Sequence, residues 1–252
     1  MPHRTNTGFT LVEISIILVI IGLIVGGVIT GQDLIRQSRL QKLIHHIEEY
    51  RIATYAFNDK FDYFPGDIPN AWDYWGTKCV PGTGSAVWCN GDGDGDINYN
   101  LTSPVYRHEA LTFWNHLQLA EMIAGQYSGR QTGSPQWANI GVNIPGSPLK
   151  GGGFDVGRND IVFGRSGNYF GFGSISPGDG QIRGAALSPA NAWFIDQKTD
   201  DGSADSGHLR ATYIITNAVN HDCTGGVASQ SALQGSYDLD NQEIVCRIVA
   251  FF

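Results

Sequence analysis

The sequence predicts an α+β fold: one long N-terminal helix packed on an antiparallel sheet within a loop-rich globular head. Three observations carry this. No proline falls between Phe9 and Phe64, and the segment is apolar at first and then patterned at helical spacing. The chain holds 33 glycines and 11% aromatic residues but only 16% charged ones, which suits loop-rich β structure with aromatic packing. The clearest strand patterns, Ala211–Thr216 and Glu243–Phe252, come late. With 252 residues the chain is long enough to bury a real core.

The first element is the apolar run after Gly8. Phe9 to Gly31 makes a helix of roughly 35 Å, enough to cross a hydrocarbon core of about 30 Å. A secretory signal would have a shorter apolar region and a small-residue cleavage site after it. An ordinary anchor would not place Glu13 inside the run, because a carboxylate in hydrocarbon costs about 3 kcal/mol. Gly8-Phe9-Thr10-Leu11-Val12-Glu13, placed ahead of such a run, resembles the processing site of type IV prepilins and type II secretion pseudopilins. The resemblance implies cleavage after Gly8, N-methylation of Phe9, and a Glu13 carboxylate that pairs with the N-terminal amine of a neighbouring subunit. Residues 1–8 are then a leader, 9–31 the membrane and filament-core half of the helix, 32–62 its amphipathic half, and 63–252 the head. Many family members carry a proline near the position of Thr30. This chain has Gly22, Gly26, Gly27 and Gly31 instead, including a G-x-x-x-G that permits close helix contact.

In the amphipathic half, Leu40, Leu43, Ile47, Tyr50, Thr54, Phe57 and Phe61 recur at 3–4 spacing, predicting a stripe that packs on the head. His45 and His46 are adjacent, so they point to different sides and are expected to be exposed. Phe64-Pro-Gly-Asp-Ile-Pro-Asn ends the helix. With the Tyr-Trp-Gly that follows, it also resembles a subgroup of pilin-like proteins. Trp72, Tyr74 and Trp75 are expected to pack over the helix end.

Four cysteines form a near pair and a far pair, predicting Cys79–Cys89 and Cys223–Cys246 disulfides on an exported chain. The second would close a C-terminal loop, as in many type IV pilins. Between the pairs lies Asn90-Gly-Asp92-Gly-Asp94-Gly-Asp96-Ile97. Alternating carboxylates with glycines between them can curl around one hard cation. Asn90, Asp92 and Asp94 take the first, third and fifth places of a calcium loop, with Asp96 beside them. Leu101 stands where the bidentate glutamate belongs, so Glu109 is expected to supply that ligand. A weaker acidic stretch, Asp196, Asp200, Asp201 and Asp205, resembles in kind the C-terminal calcium loop of pseudopilins.

A second helix is predicted over Val105–Ala124, with His108, Glu109 and His116 as surface or capping groups. Residues 126–153 read as loop, Ile161–Gly164 and Asn168–Gly173 as short strands. Ser188 and Pro189 start a short helix ending near Lys198.

The net charge of -8, with no Lys/Arg cluster, argues against a nucleic-acid partner. There is no G-x-S-x-G, no P-loop and no H-E-x-x-H, so an enzyme is not expected. The resemblance implies a filament subunit held in the bacterial inner membrane with a periplasmic head, partnered by homologous pilin subunits and a prepilin peptidase/methylase. The other class is a membrane-anchored binding protein or adhesin that takes sugars on its tryptophans.

Overall fold

The computed structural model describes residues 10–79, 85–98, 109–130, 138–159, 165–177, 180–212, 223–224 and 236–252. Gly8, Phe9, His108 and the expected strand over Ile161–Gly164 lie outside these residues.

Helix α1 runs unbroken over Leu11–Phe61, through all four stem glycines. Thr10 caps it: its hydroxyl accepts the Glu13 N–H while the Glu13 carboxylate takes the Thr10 N–H, a reciprocal capping box. Asp62, in the left-handed conformation, closes the other end. Among the described residues nothing buries the first half, and every large apolar side chain from Leu11 to Ile35 is exposed. The second half buries Leu40, Leu43, Ile47, Tyr50, Ala53, Thr54 and Phe57 in the head, the expected stripe with Ala53 added and Phe61 half-buried.

The head's sheet comprises β1 (Gly152–Asn159), β2 (Gly167–Ile175), β3 (Ile182–Gly184), β4 (Leu209–Thr212) and β5 (Arg247–Phe251). All pairings are antiparallel, in the order β1-β2-β5-β4, with β3 off the end of β2. One face carries Phe154, Val156, Phe170, Phe172 and Ile248 into the core. Tyr50 of α1 meets Phe154 edge-on at 5.1 Å, and Trp114 of α3 (Glu109–Leu119) at 5.0 Å. Such edge contacts add about 0.5–1.5 kcal/mol beyond the area they bury. Phe252, beyond β5, stacks on Phe170 at 4.4 Å.

The opposite face holds a buried ion pair. Arg247 Nη2 lies 2.9 Å from both oxygens of Asp155. Gly171, in register with Asp155 on one side and Val249 on the other, has to be glycine, because a Cβ there would overlap the Asp155 carboxylate and the Arg247 guanidinium.

Both disulfides are formed, Cys79 with Cys89 and Cys223 with Cys246.

Several elements differ from expectation. β1 begins inside the segment read as loop, β3 was not anticipated, and β5 is shorter than Glu243–Phe252. A short helix, α2 (Ala71–Trp75), occupies the aromatic cluster. Within it Trp72 and Trp75 pack on the core while Tyr74 stays exposed. α3 stops at Leu119, not near Ala124. Glu121 takes the left-handed conformation, and the N–H groups of Glu121 and Met122 return to the carbonyls of Gln118 and Leu117. That closure ends a helix without a glycine. The last helix, α4 (Pro189–Thr199), starts with proline as expected, although the Ser188 side chain makes no capping bond.

Candidate functional site

Two features carry chemistry: the free stem and the carboxylates of the head. In the stem, Glu13 Oε2 accepts from both the backbone N–H and the hydroxyl of Thr10, each at 2.8 Å. Among the described residues no donor reaches Oε1. The single chain thus satisfies this carboxylate in part through its own helix cap.

In the head, the acidic loop folds against the joint between α1 and the sheet. Three carboxylates converge there: Asp67, Asp92 and Glu109 bring oxygens within 4.8 Å of one another. Asp67 and Glu109 are almost wholly buried, at 1% and 2% exposure. Asp67 accepts the N–H groups of Gly93 (2.7 Å) and Gly95 (2.9 Å). Glu109 accepts those of Asp92 (3.1 Å) and Asn98 (2.9 Å). The loop therefore wraps its backbone donors around two carboxylates that come from outside it. Gly91 allows this close approach: a Cβ there would overlap the backbone of Asp67.

Burial raises both carboxyls. Asp67 is pushed up to about 6 and Glu109 to about 8, against the pull of the loop N–H groups, with neighbouring carboxylates adding to the rise. The remaining tie is to the sheet. Asn168 of β2 takes the Ile97 N–H on its side-chain oxygen and donates to Gly95 O. Arg158 pairs with Asp96 at 2.6 Å.

The carboxylates that converge overlap the expected set only in part. Glu109 and Asp92 converge. Asn90 turns away to accept the Trp72 N–H at 2.8 Å and so caps α2. Asp94 accepts the Asp96 N–H, and Asp96 is held by Arg158. Asp67, which converges with Asp92 and Glu109, was missed. It sits in the Pro-Gly-Asp-Ile turn, and only the fold brings it to the loop.

Glu109 and His116 are not surface groups. His116 is fully buried: Nδ1 accepts the Gly66 N–H at 2.9 Å and Nε2 donates to Cys89 O at 3.1 Å. Burial drives its pKa down to about 3. Cys79, Cys89 and His116 lie together, but the two sulfurs are joined to each other and offer no thiolate to a metal. His45 is exposed and His46 is half-buried near Tyr50 and Phe154.

The second acidic stretch also converges in part, through Asp196, Asp200 and Asp201. Asp196 is buried; it accepts from the Tyr237 hydroxyl (2.6 Å) and the Gly202 N–H (3.1 Å), and burial pushes it up to about 6. Asp200 accepts the N–H groups of His208 and Leu209. Asp201 is held below the ordinary carboxylate range by the Ser206 hydroxyl and the Ser203 N–H. Asp205 stands apart, bonded to the Ser203 hydroxyl.

Comparison of the chain with protein-family models, with characterised proteins and with solved structures found no match.

Proposed function

We propose that this chain is a subunit of a type IV pilus-like or type II secretion pseudopilus filament. One observation carries the reading: a single 51-residue helix buries its second half in the head and leaves its first half an exposed apolar rod. An exposed rod of this length needs a bilayer or other helices around it. In this reading the chain waits in the inner membrane, with its head in the periplasm. A prepilin peptidase/methylase cuts after Gly8 and methylates Phe9, and the stems then leave the lipid to pack on one another. Glu13 Oε1 is the oxygen available to a neighbour's N-terminal amine. A buried carboxylate strongly favours such a partner.

The test is to co-express the chain with a prepilin peptidase and the assembly machinery. Mature protein should begin at methylated Phe9 and sediment as polymer, and Glu13→Ala should reduce the polymer while the head stays folded. An intact leader on a monomeric protein would point instead to the membrane-anchored sugar-binding class. The described tryptophans do not favour that class, because Trp114 is buried and Trp72, Trp75, Trp88 and Trp193 pack against the core.

Calcium belongs to the same reading. Asp67, Asp92 and Glu109 offer only hard oxygen donors, and the charges that bear most on the two buried ones are other carboxylates. They would hold the cation, which would neutralise their mutual repulsion. Asp196, Asp200 and Asp201 form the weaker second set. Calorimetric titration with calcium should show binding in the millimolar range or tighter, and Glu109→Gln should weaken it. No heat at millimolar calcium would dispose of the site.

A further inference from the structure

The half of α1 that packs the head has a second face, turned away from it. That face is not uniformly polar. Ile52 is 65% exposed and Tyr55 47% exposed, one turn apart, beside the exposed Gln41 and His45 and the half-buried Glu48. An apolar pair on an otherwise polar exposed face calls for a partner.

Its azimuth says where the partner lies. Eighteen residues make five turns of an α-helix, so Ile16, Leu34 and Ile52 stand in one straight line about 27 Å apart. All three are exposed, at 54%, 62% and 65%. A translation of about 27 Å along the helix therefore carries Leu34 onto Ile52 and Ile16 onto Leu34. Two copies offset by that amount, with these faces towards each other, meet apolar side chain to apolar side chain at two places. Copies in register would also set Ile52 against Ile52 and Leu34 against Leu34, but only by placing His45 against His45 and Glu48 against Glu48, which repel or cost desolvation. A bilayer is a poor occupant, since Glu48, with its Arg51 ion pair at 2.5 Å, and His45 share this part of the helix. The largest exposed apolar surface among the described residues is the stem itself.

We propose that Ile52 docks on Leu34 of a second copy of this chain, and that this contact sets an axial offset of about 27 Å between the two stems. The proposal rests on the filament reading above. With heads outside, the face turned away from the head points at the filament axis, where the same faces of different copies meet.

Disulfide trapping in assembled filaments tests it. The double variant Ile52→Cys, Leu34→Cys should give a ladder of covalent multimers under mild oxidation. Ile52→Cys alone and Leu34→Cys alone should give none. Filaments of the double variant with no ladder, or efficient trapping by Ile52→Cys alone, would overturn the offset. A second readout needs no cysteines. Ile52→Glu should lower filament yield by about tenfold or more, equivalent to about 1.4 kcal/mol, while Ile52→Leu keeps it. Ile52 is exposed, so both variants leave the head folded; undiminished yield from Ile52→Glu also overturns the contact. If the unsubstituted chain forms no polymer, the filament reading itself falls and the contact with it. Polymer without the ladder removes only the contact.

Discussion

Replacing His116 by glutamine is expected to change how the head's stability responds to acid. The folded head holds this imidazole neutral between Gly66 N–H and Cys89 O, and burial lowers its pKa from 6.5 to about 3. The unfolded chain takes up a proton near pH 6.5, whereas the folded one does not until about pH 3. The group's contribution is therefore intact above about 6.5 and is lost as pH falls towards 3, at up to about 1.4 kcal/mol per pH unit. Between pH 7 and pH 5 the loss comes to about 2 kcal/mol. The buried carboxylates Asp67, Glu109 and Asp196 act in the opposite sense. Their folded pKa values are raised, so their contribution is greatest in acid and fades as pH rises through about 6 to 8. The wild-type profile mixes the two. The readout is accordingly a difference: the stability advantage of wild type over His116→Gln should shrink by about 2 kcal/mol between pH 7 and pH 5. Guanidinium unfolding of the full chain in detergent, followed by tryptophan fluorescence at both pH values, measures it. An advantage that stays constant, or an imidazole that titrates near 6.5 in the folded protein, would refute the neutral buried histidine.

Two further substitutions test the packing. Phe57 is fully buried, with its ring 4.4 Å from Phe61 and 6.4 Å from His116; Phe57→Ala should cost about 3–5 kcal/mol in the same unfolding assay. Asp155→Ala leaves the Arg247 guanidinium buried without its counter-ion and should cost about 3–5 kcal/mol, whereas replacing both residues with apolar ones of similar volume should cost much less.

The helix was legible because its signal is local. Leu40 to Phe57 keep the 3.6 period, and no distant residue alters which face they share. β1 was not legible for the opposite reason. Gly152-Gly-Phe-Asp-Val-Gly-Arg-Asn offers only Phe154 and Val156 as an apolar face among three glycines, and its Asp155 is buried by Arg247, 92 residues later. The acidic loop was half legible. Glycines and carboxylates at alternating positions announced a turn that gathers oxygens, and Glu109 was expected from outside the loop. Which loop carboxylates face inward is decided by Asp67, Arg158 and Asn168, and sequence spacing does not encode those partners. Conversely, the burial of His116 comes from Gly66, Cys79, Cys89, Phe57 and Trp75, all distant from it in sequence, so an isolated histidine on a helix gave no sign of it.

The position of the acidic loop links head to stem. Asp67 lies just past the end of α1, Glu109 begins α3, and Asn168 belongs to β2; each is bonded to the same stretch from Asp92 to Asn98. The loop also donates its Gly91 N–H to Ile68 O, so it is fastened to the turn that leaves the stem. Among the described residues neither buried carboxylate has a basic partner to balance it, whereas on the sheet Arg247 balances Asp155. Whatever neutralises Asp67 and Glu109, a bound cation or a proton, therefore acts on the segment that fixes how α1 enters the head. On the proposed filament reading, packing between stems reaches the head through this same junction, where Asp67 and Glu109 sit.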